Sequence, residues 1–107
     1  MNTNDMPHES FRNFAEFYPF YLSQHQDKTC RRLHFVGTCL VIALFIYAVV
    51  TLQPAWLLLM PLAGYGFAWI GHFFFEKNQP ATFQHPLWSL IGDFRMFKDI
   101  MIGKVPW

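Results

Sequence analysis

The chain has 107 residues, of which 53% are hydrophobic and only 14% are charged. This length allows one small domain, and the charged share is low for a soluble protein, in which about a quarter of the residues are charged. Eight Lys/Arg and seven Asp/Glu give a net charge of +1, so no basic excess is available to hold nucleic acid phosphates, and we expect no nucleic acid partner. With two cysteines, a disulfide framework is not expected either.

The N-terminal part combines a polar start with an aromatic helix. We expect residues 1–9 to be a disordered tail and residues 10–107 to form one membrane domain. From position 11, large apolar residues recur at three- and four-residue steps, which is typical of an amphipathic helix; they are Phe11, Phe14, Phe17, Tyr21 and Leu22. We expect this helix to lie in the lipid headgroup layer or to cap the segments that follow.

The central feature of the sequence is a long uncharged stretch, with no Asp, Glu, Lys or Arg between Arg32 and Glu76. It contains two apolar runs, residues 35–52 and 55–75, which as helices are about 27 and 31 Å long, enough to cross a bilayer's hydrocarbon core. Gln53 and Pro54 separate them, because proline disfavours helix before it and suits the first turn after it. We therefore predict a transmembrane helical hairpin, kinked at Pro61.

The basic residues predict the orientation of this hairpin. All eight lie outside it, which places both termini in the cytoplasm by the positive-inside rule. The chain is thus expected to be an integral membrane protein with a cytoplasmic-side active site, in a bacterial inner membrane or, in a eukaryote, in the endoplasmic reticulum membrane. The alternative is a soluble all-helical protein that buries its hairpin by oligomerisation.

A second amphipathic helix is predicted after the hairpin. Pro86 suits its first turn, and its apolar stripe consists of Leu87, Leu90, Ile91, Phe94, Phe97 and Met101. The predicted fold is therefore an all-α membrane protein, a two-span helical hairpin flanked by amphipathic interfacial helices.

The histidines are the residues whose positions indicate a chemical function. His34 and His72 each lie about nineteen residues from the Gln53-Pro54 turn, so in an antiparallel hairpin they reach the same depth. His25 and His85 lie outside the two spans by similar distances, and all four imidazoles can converge near the cytoplasmic interface.

Imidazole is a ready ligand for iron, copper and zinc, and an ionisable residue within a span is costly enough to indicate function. We therefore favour a metal site over the alternative that these histidines are interfacial polar residues. Glu76 follows His72 by four residues, on the same helical face, so its carboxylate can bind the metal or accept a ring N–H of His72. Alternatively, Glu76 pairs with Lys77 or an arginine.

Two segments carry a family resemblance, FYLSQHQDKTCRRLHFVGT at residues 20–38 and GYGFAWIGHFFFEKNQPATFQHPLWSLIGDFRMF at residues 64–97. They resemble the family of the yeast 2-hydroxy fatty acid dioxygenase, formerly a domain of unknown function. The motifs are His25 and His34 with Gly37, Gly71-His72 with Glu76 and Pro80-Ala81, His85-Pro86, and Gly92-Asp93. In longer eukaryotic members an Asn often stands between the first two histidines, and no role of that Asn carries over to this chain.

The resemblance implies an Fe(II)-dependent dioxygenase that uses O₂ to shorten long-chain 2-hydroxy fatty acids by one carbon. It implies His25, His34, His72 and His85 as iron ligands, with Glu76 as a catalytic residue beside them. Membrane lipid is the expected surrounding, and homo-oligomerisation is left open. Two alternatives remain: a haem protein that uses only His34 and His72 as axial ligands, and a structural membrane adaptor without metal.

Overall fold

The computed structural model describes residues 11–107, and these residues form helices and turns without a strand. Four α-helices are present, α1 (Phe14–Ser23), α2 (Lys28–Thr51), α3 (Leu59–Ile70) and α4 (Pro86–Met101). Shorter elements are two 3₁₀ helices, Pro54–Leu58 and Ala81–Phe83, and a π-helical turn, Gly71–Glu76. The all-α prediction is confirmed for this part of the chain. The predicted disordered tail, residues 1–9, lies outside the described residues.

Local signals in the sequence set the helix ends. The side chain of Asn13 accepts a hydrogen bond from the backbone N–H of Glu16 at 2.9 Å, and Asp27 caps α2 through the N–H of Cys30 at 2.9 Å. Such caps satisfy N–H groups that have no partner within the helix. At the other end of α2, Leu52 adopts a left-handed conformation with φ 56°, which turns the chain sharply toward Pro54.

α2 and α3 pack closely and run antiparallel. A Cβ atom added at Gly64 would lie 3.2 Å from Cγ2 of Val41, and one added at Gly71 would lie 3.0 Å from Sγ of Cys30. Farther toward the turn, the rings of Tyr47 and Trp56 are 5.2 Å apart. Residues near the end of α2 therefore lie beside residues near the start of the second segment, and the reverse, as in an antiparallel pair.

The second apolar segment is not the single kinked helix that the sequence predicts. It is a 3₁₀ helix to Leu58, an α-helix from Leu59 and a π-helical turn from Gly71. Pro61 falls in the first turn of α3, where its missing N–H leaves no interior hydrogen bond broken. The kink predicted at Pro61 stays a prediction, separate from this change of helix type.

Two segments, Lys28–Thr51 and Pro54–Glu76, are long and apolar enough to cross a membrane. In their most apolar 18-residue windows only 22% and 17% of the residues are buried. Val50, Leu58 and Leu62 are 74%, 79% and 71% exposed. These segments are therefore not core helices of the described chain, and their apolar surface faces outward.

The buried core lies instead between α1, α4 and the C-terminal segment, and consists of Phe17, Tyr18, Phe20, Tyr21, Met96 and Val105. A polar link crosses it, because the hydroxyl of Tyr18 donates to Asp99 at 2.8 Å. Burial and the neighbouring Asp99 carboxylate raise the pKa of Tyr18 above its ordinary value. Much of the aromatic face of α1 is thus buried against protein.

α4 turns its predicted apolar stripe outward. Leu87 and Met101 are 66% and 65% exposed, whereas the buried positions are Ser89, Gly92, Met96 and Asp99. Small residues occupy the inner face because the rings of α1 approach it closely; a Cβ atom at Gly92 would lie 2.9 Å from the ring of Tyr21. The interior face of α4 therefore has small residues where it meets the ring of Tyr21, and Met96 in the core farther along.

Candidate metal centre

Three of the four predicted ligands, His25, His34 and His72, meet at one buried point. Their ring centroids are 4.4, 4.5 and 4.8 Å apart, and each side chain is no more than 4% exposed. The turn after α1 supplies the first, α2 the second and the π-helical turn the third. The rings meet edge to face, and one ligand atom of each lies within 4.8 Å of those of the others.

Each ring is oriented by a hydrogen bond from its Nδ1 atom. His25 bonds to the backbone oxygen of Tyr21 at 2.7 Å, His34 to that of Cys30 at 2.9 Å, and His72 to Oδ1 of Asn78 at 2.7 Å. A carbonyl or amide oxygen only accepts, so the proton of each neutral ring sits on Nδ1 and leaves a lone pair on Nε2. This is the arrangement that orients metal-ligating histidines.

The Nε2 atoms are placed as ligands of one ion. Nε2 of His25 lies 3.1 Å from Nε2 of His34, and two nitrogens bound to a metal at about 2.1 Å, at right angles to one another, are about 3.0 Å apart. Without a cation, two lone pairs would face each other there. The donor set therefore fits a metal ion.

The same donor group includes a cysteine. The ligand atoms of His25, Cys30, His34 and His72 all lie within 4.8 Å of one another, and this group could hold a metal ion. Sγ of Cys30, however, is 3.7 Å from Nδ1 of His34, the nitrogen that donates to the backbone oxygen of Cys30. We therefore interpret Cys30 as packing behind His34. Its spacing of four residues before His34 is the sequence signal for this contact.

His85, the fourth predicted ligand, is placed outside the donor group. Its ring packs among aromatic side chains, with centroids 5.3 Å from Phe17, 5.6 Å from Phe11 and 5.6 Å from Trp88. It also precedes Pro86 at the start of α4. The ring of His85 thus packs against the aromatic core.

Glu76 bonds to the backbone rather than to an imidazole. Its Oε1 accepts the N–H of Asp27 at 2.7 Å, which ties the end of the π-helical turn to the start of α2. The acceptor expected for the ring N–H of His72 is instead Asn78, because the chain turns back after Lys77, whose φ is 60°. Glu76 therefore holds together two of the elements that carry the histidines.

Asn78 is a residue of the site that the sequence analysis did not single out. Its Nδ2 donates to the backbone oxygen of Gln24 at 3.0 Å and to its side-chain oxygen at 3.2 Å. These two bonds fix the amide so that Oδ1 points to His72. Only its position, six residues after His72 in a polar linker, could have suggested the role.

Tyr21 supports His25 in two ways besides its backbone oxygen. Its ring stacks on that of His25 with centroids 4.2 Å apart, and its hydroxyl donates a short hydrogen bond to Asp93 of α4. Burial raises the pKa of Asp93 to about 7. Burial, together with the neighbouring His34 and His72, lowers the pKa of His25 well below 6.5, so this imidazole stays neutral, as a metal ligand must be.

A small cavity and a larger groove adjoin the histidines. The cavity, of about 10 Å³, is bordered by all three rings and by Asp93, and has room for about one water-sized particle. The groove, of about 310 Å³, is lined by residues of α2, α3 and α4: His34, Thr38, Val41, Met60, Pro61, Gly64, Tyr65, Ala68, Leu90, Asp93 and Phe94. The two share His34, Tyr65, Ala68 and Asp93, so the groove leads to the candidate metal centre.

Asn78→Ala is expected to lower metal affinity by about 10- to 100-fold, because it removes the acceptor that orients His72. Asn78→Asp keeps an acceptor oxygen but loses the two Nδ2 donors to Gln24, so its affinity is expected to lie between those of Asn78→Ala and the original protein. Metal titration of both purified variants measures the difference. Equal affinities for Asn78→Ala and the original protein would contradict the role given to Asn78.

Comparison with known proteins gives a family for this chain. No curated protein and no solved structure matches it significantly. The family model described as "2-hydroxy-palmitic acid dioxygenase Mpo1-like" matches residues 11–105. Since the match covers nearly the whole chain, including α1 to α4 and the three converging histidines, the protein belongs to the Mpo1-like family.

Proposed function

We propose that this protein is an Fe(II)-dependent dioxygenase that shortens long-chain 2-hydroxy fatty acids by one carbon. The observation that carries the proposal is the buried group of three imidazoles whose ligand atoms lie within 4.8 Å of one another and whose rings are each oriented through Nδ1. The reaction class comes from the family, whose description names a 2-hydroxy-palmitic acid dioxygenase. Imidazole donors suit iron, copper and zinc alike, and the choice of iron rests on that reaction class.

The proposed ligands are Nε2 of His25, His34 and His72. Three protein ligands leave coordination positions open, as a catalytic site requires. Bound iron would supply the redox chemistry by which O₂ reacts with an organic acid. We propose three positioning residues, which contact the rings or the elements that carry the ligands: Tyr21, Asn78 and Glu76. A direct catalytic role of Glu76 and ligation by His85 remain predictions.

The reaction balances with one O₂ for each acid. The bond between C1 and C2 breaks, C2 becomes the carboxyl carbon of the shortened acid, and C1 leaves as CO₂ together with water. Asp93 borders the histidine cavity and holds the hydroxyl of Tyr21 through a short hydrogen bond. This pair therefore places a proton-carrying group next to the proposed site of reaction.

A haem held by His34 and His72 is less compatible with this geometry. A porphyrin would have to separate these two rings, whose centroids are 4.8 Å apart, and His25 contacts both of them. The cavity among the three rings is about 10 Å³. The site therefore accommodates a single ion rather than a macrocycle.

We further propose that the segments Lys28–Thr51 and Pro54–Glu76 cross a membrane, with the histidines near its cytoplasmic face. The support is their length, their outward apolar surface and the position of all basic residues outside the uncharged stretch. A helix that exposes such a surface needs lipid or protein to cover it. This placement would put the reaction where a fatty acid already partitions.

Oxygen consumption tests the proposed activity. Protein loaded with Fe(II) is expected to consume O₂ with 2-hydroxyhexadecanoic acid, and at least about 100-fold more slowly with hexadecanoic acid or its 3-hydroxy isomer. The 2-hydroxyl is required because, with the carboxylate, it fixes the C1–C2 bond at the metal; misplacing the reacting atoms by about 1 Å costs on the order of 100-fold. Equal rates with the plain acid would contradict the proposal.

A further inference from the structure

The groove that leads to the histidines has a polar end and an apolar end. His34 and Asp93 lie at the first, whereas Val41 and Met60 lie at the second. On α2 the groove follows one helical face through His34, Thr38 and Val41, a distance of about 10 Å at the helical rise per residue. Its polarity therefore changes along its length in one direction, away from the metal centre.

Small residues of α3 make room for the groove. Gly64 and Ala68 line it, and a Cβ atom at Gly64 would lie 3.2 Å from Cγ2 of Val41. Gly66, two residues along, is not among the lining residues and would meet nothing within 4 Å. A larger side chain at position 64 must therefore displace Val41 or enter the groove, while position 66 offers a control on the same helix.

The outer rim of the groove is apolar and exposed. Leu90 and Phe94 of α4 line it and are 46% and 41% exposed, and Leu62 nearby in sequence is 71% exposed. A ligand that enters here passes over hydrocarbon side chains. The occupant that matches both ends is a molecule with a polar head and a long alkyl chain.

We infer that this groove holds the alkyl chain of the substrate, with the carboxyl head at His34 and Asp93 and the chain running past Gly64 toward Val41 and Met60. The inference rests on the proposed function for the identity of the head group. It assigns chain-length selection to the α2–α3 contact, because a larger side chain at position 64 must displace Val41, which lines the far end of the groove. The site of reaction and the site of chain recognition are then separate parts of one continuous surface.

Equilibrium binding of two probes, 2-hydroxyhexadecanoic and 2-hydroxyoctanoic acid, tests this inference without turnover. The measurement uses the full chain in lipid nanodiscs, loaded with metal and kept free of O₂. Gly64→Leu is expected to weaken binding of the sixteen-carbon acid by more than tenfold, since each methylene displaced from an apolar site costs about fourfold in affinity. Binding of the eight-carbon acid should change less than threefold, and Gly66→Leu should bind both probes like the original protein.

Metal content and thermal unfolding identify a variant that has not folded. In that case Val41→Phe, which narrows the far end of the groove, replaces Gly64→Leu with the same expected selectivity. Equal binding of the long acid by the groove variant and by Gly66→Leu would overturn the inference. Selective loss of the long acid without any turnover by the original protein would support the groove and contradict the proposed activity instead.

Discussion

Alanine at His25, His34 or His72 is expected to lower iron affinity by at least about 100-fold, more than the loss of an orienting partner costs. Each substitution removes one imidazole from a group in which Nε2 of His25 and Nε2 of His34 are 3.1 Å apart. The remaining two imidazoles cannot hold the ion as tightly from buried, fixed positions. Metal analysis of protein purified without air or chelator measures the loss.

His8→Ala is the control for these variants, and His85→Ala tests ligation by the fourth predicted histidine. The ring of His85 lies among Phe11, Phe17 and Trp88, so its loss should change thermal stability more than iron content. Full iron retention in all three histidine variants would contradict the metal centre. Loss only with His34→Ala and His72→Ala, with His25→Ala unaffected, would favour the haem alternative.

Gly71→Ala is expected to weaken both the fold and the metal centre. A Cβ atom at Gly71 would lie 3.0 Å from Sγ, 3.1 Å from Cα and 3.3 Å from the backbone oxygen of Cys30. The backbone of α2 cannot yield as a flexible side chain would, so the π-helical turn must move away from it. Overpacking of this kind costs about 1 to 3 kcal/mol, and the displaced turn carries His72.

Gly66→Ala is the matched control on the same segment. Nothing lies within 4 Å of the added Cβ atom, so the substitution should raise stability by up to about 1 kcal/mol through helix propensity. Thermal unfolding and metal titration of the two variants give the comparison. A Gly71→Ala protein as stable and as tightly metal-binding as Gly66→Ala would show that the close approach to Cys30 is unimportant.

The sequence predicts the parts of this structure that follow from periodicity and from equal spacing. His34 and His72 lie about nineteen residues on either side of the Gln53-Pro54 turn, and their rings are 4.8 Å apart in the structure. An antiparallel pair of helices with a two-residue turn leaves few other arrangements. The uncharged stretch likewise indicates two long helices whatever their contacts are.

Other parts depend on geometry that a helical pattern does not contain. Asn78 reaches His72 because a π-helical turn and a left-handed residue, Lys77, reverse the chain after Glu76. α4 buries Ser89 and Gly92 instead of its apolar stripe, since the ring of Tyr21 occupies the space beside Gly92. Packing between distant segments decides which residue contacts His72 and which face of α4 is buried. Neither hydrophobicity nor spacing along the sequence predicts these contacts.

The most direct test of the central claim is the mass of the product formed from 2-hydroxyhexadecanoic acid by the Fe(II)-loaded protein under O₂. The account predicts pentadecanoic acid, one carbon shorter, in amounts equal to the O₂ consumed, and no product from the His34→Ala or His72→Ala variant. Recovery of unchanged substrate from demonstrably iron-loaded protein, or of a product that keeps all of its carbons, would contradict it.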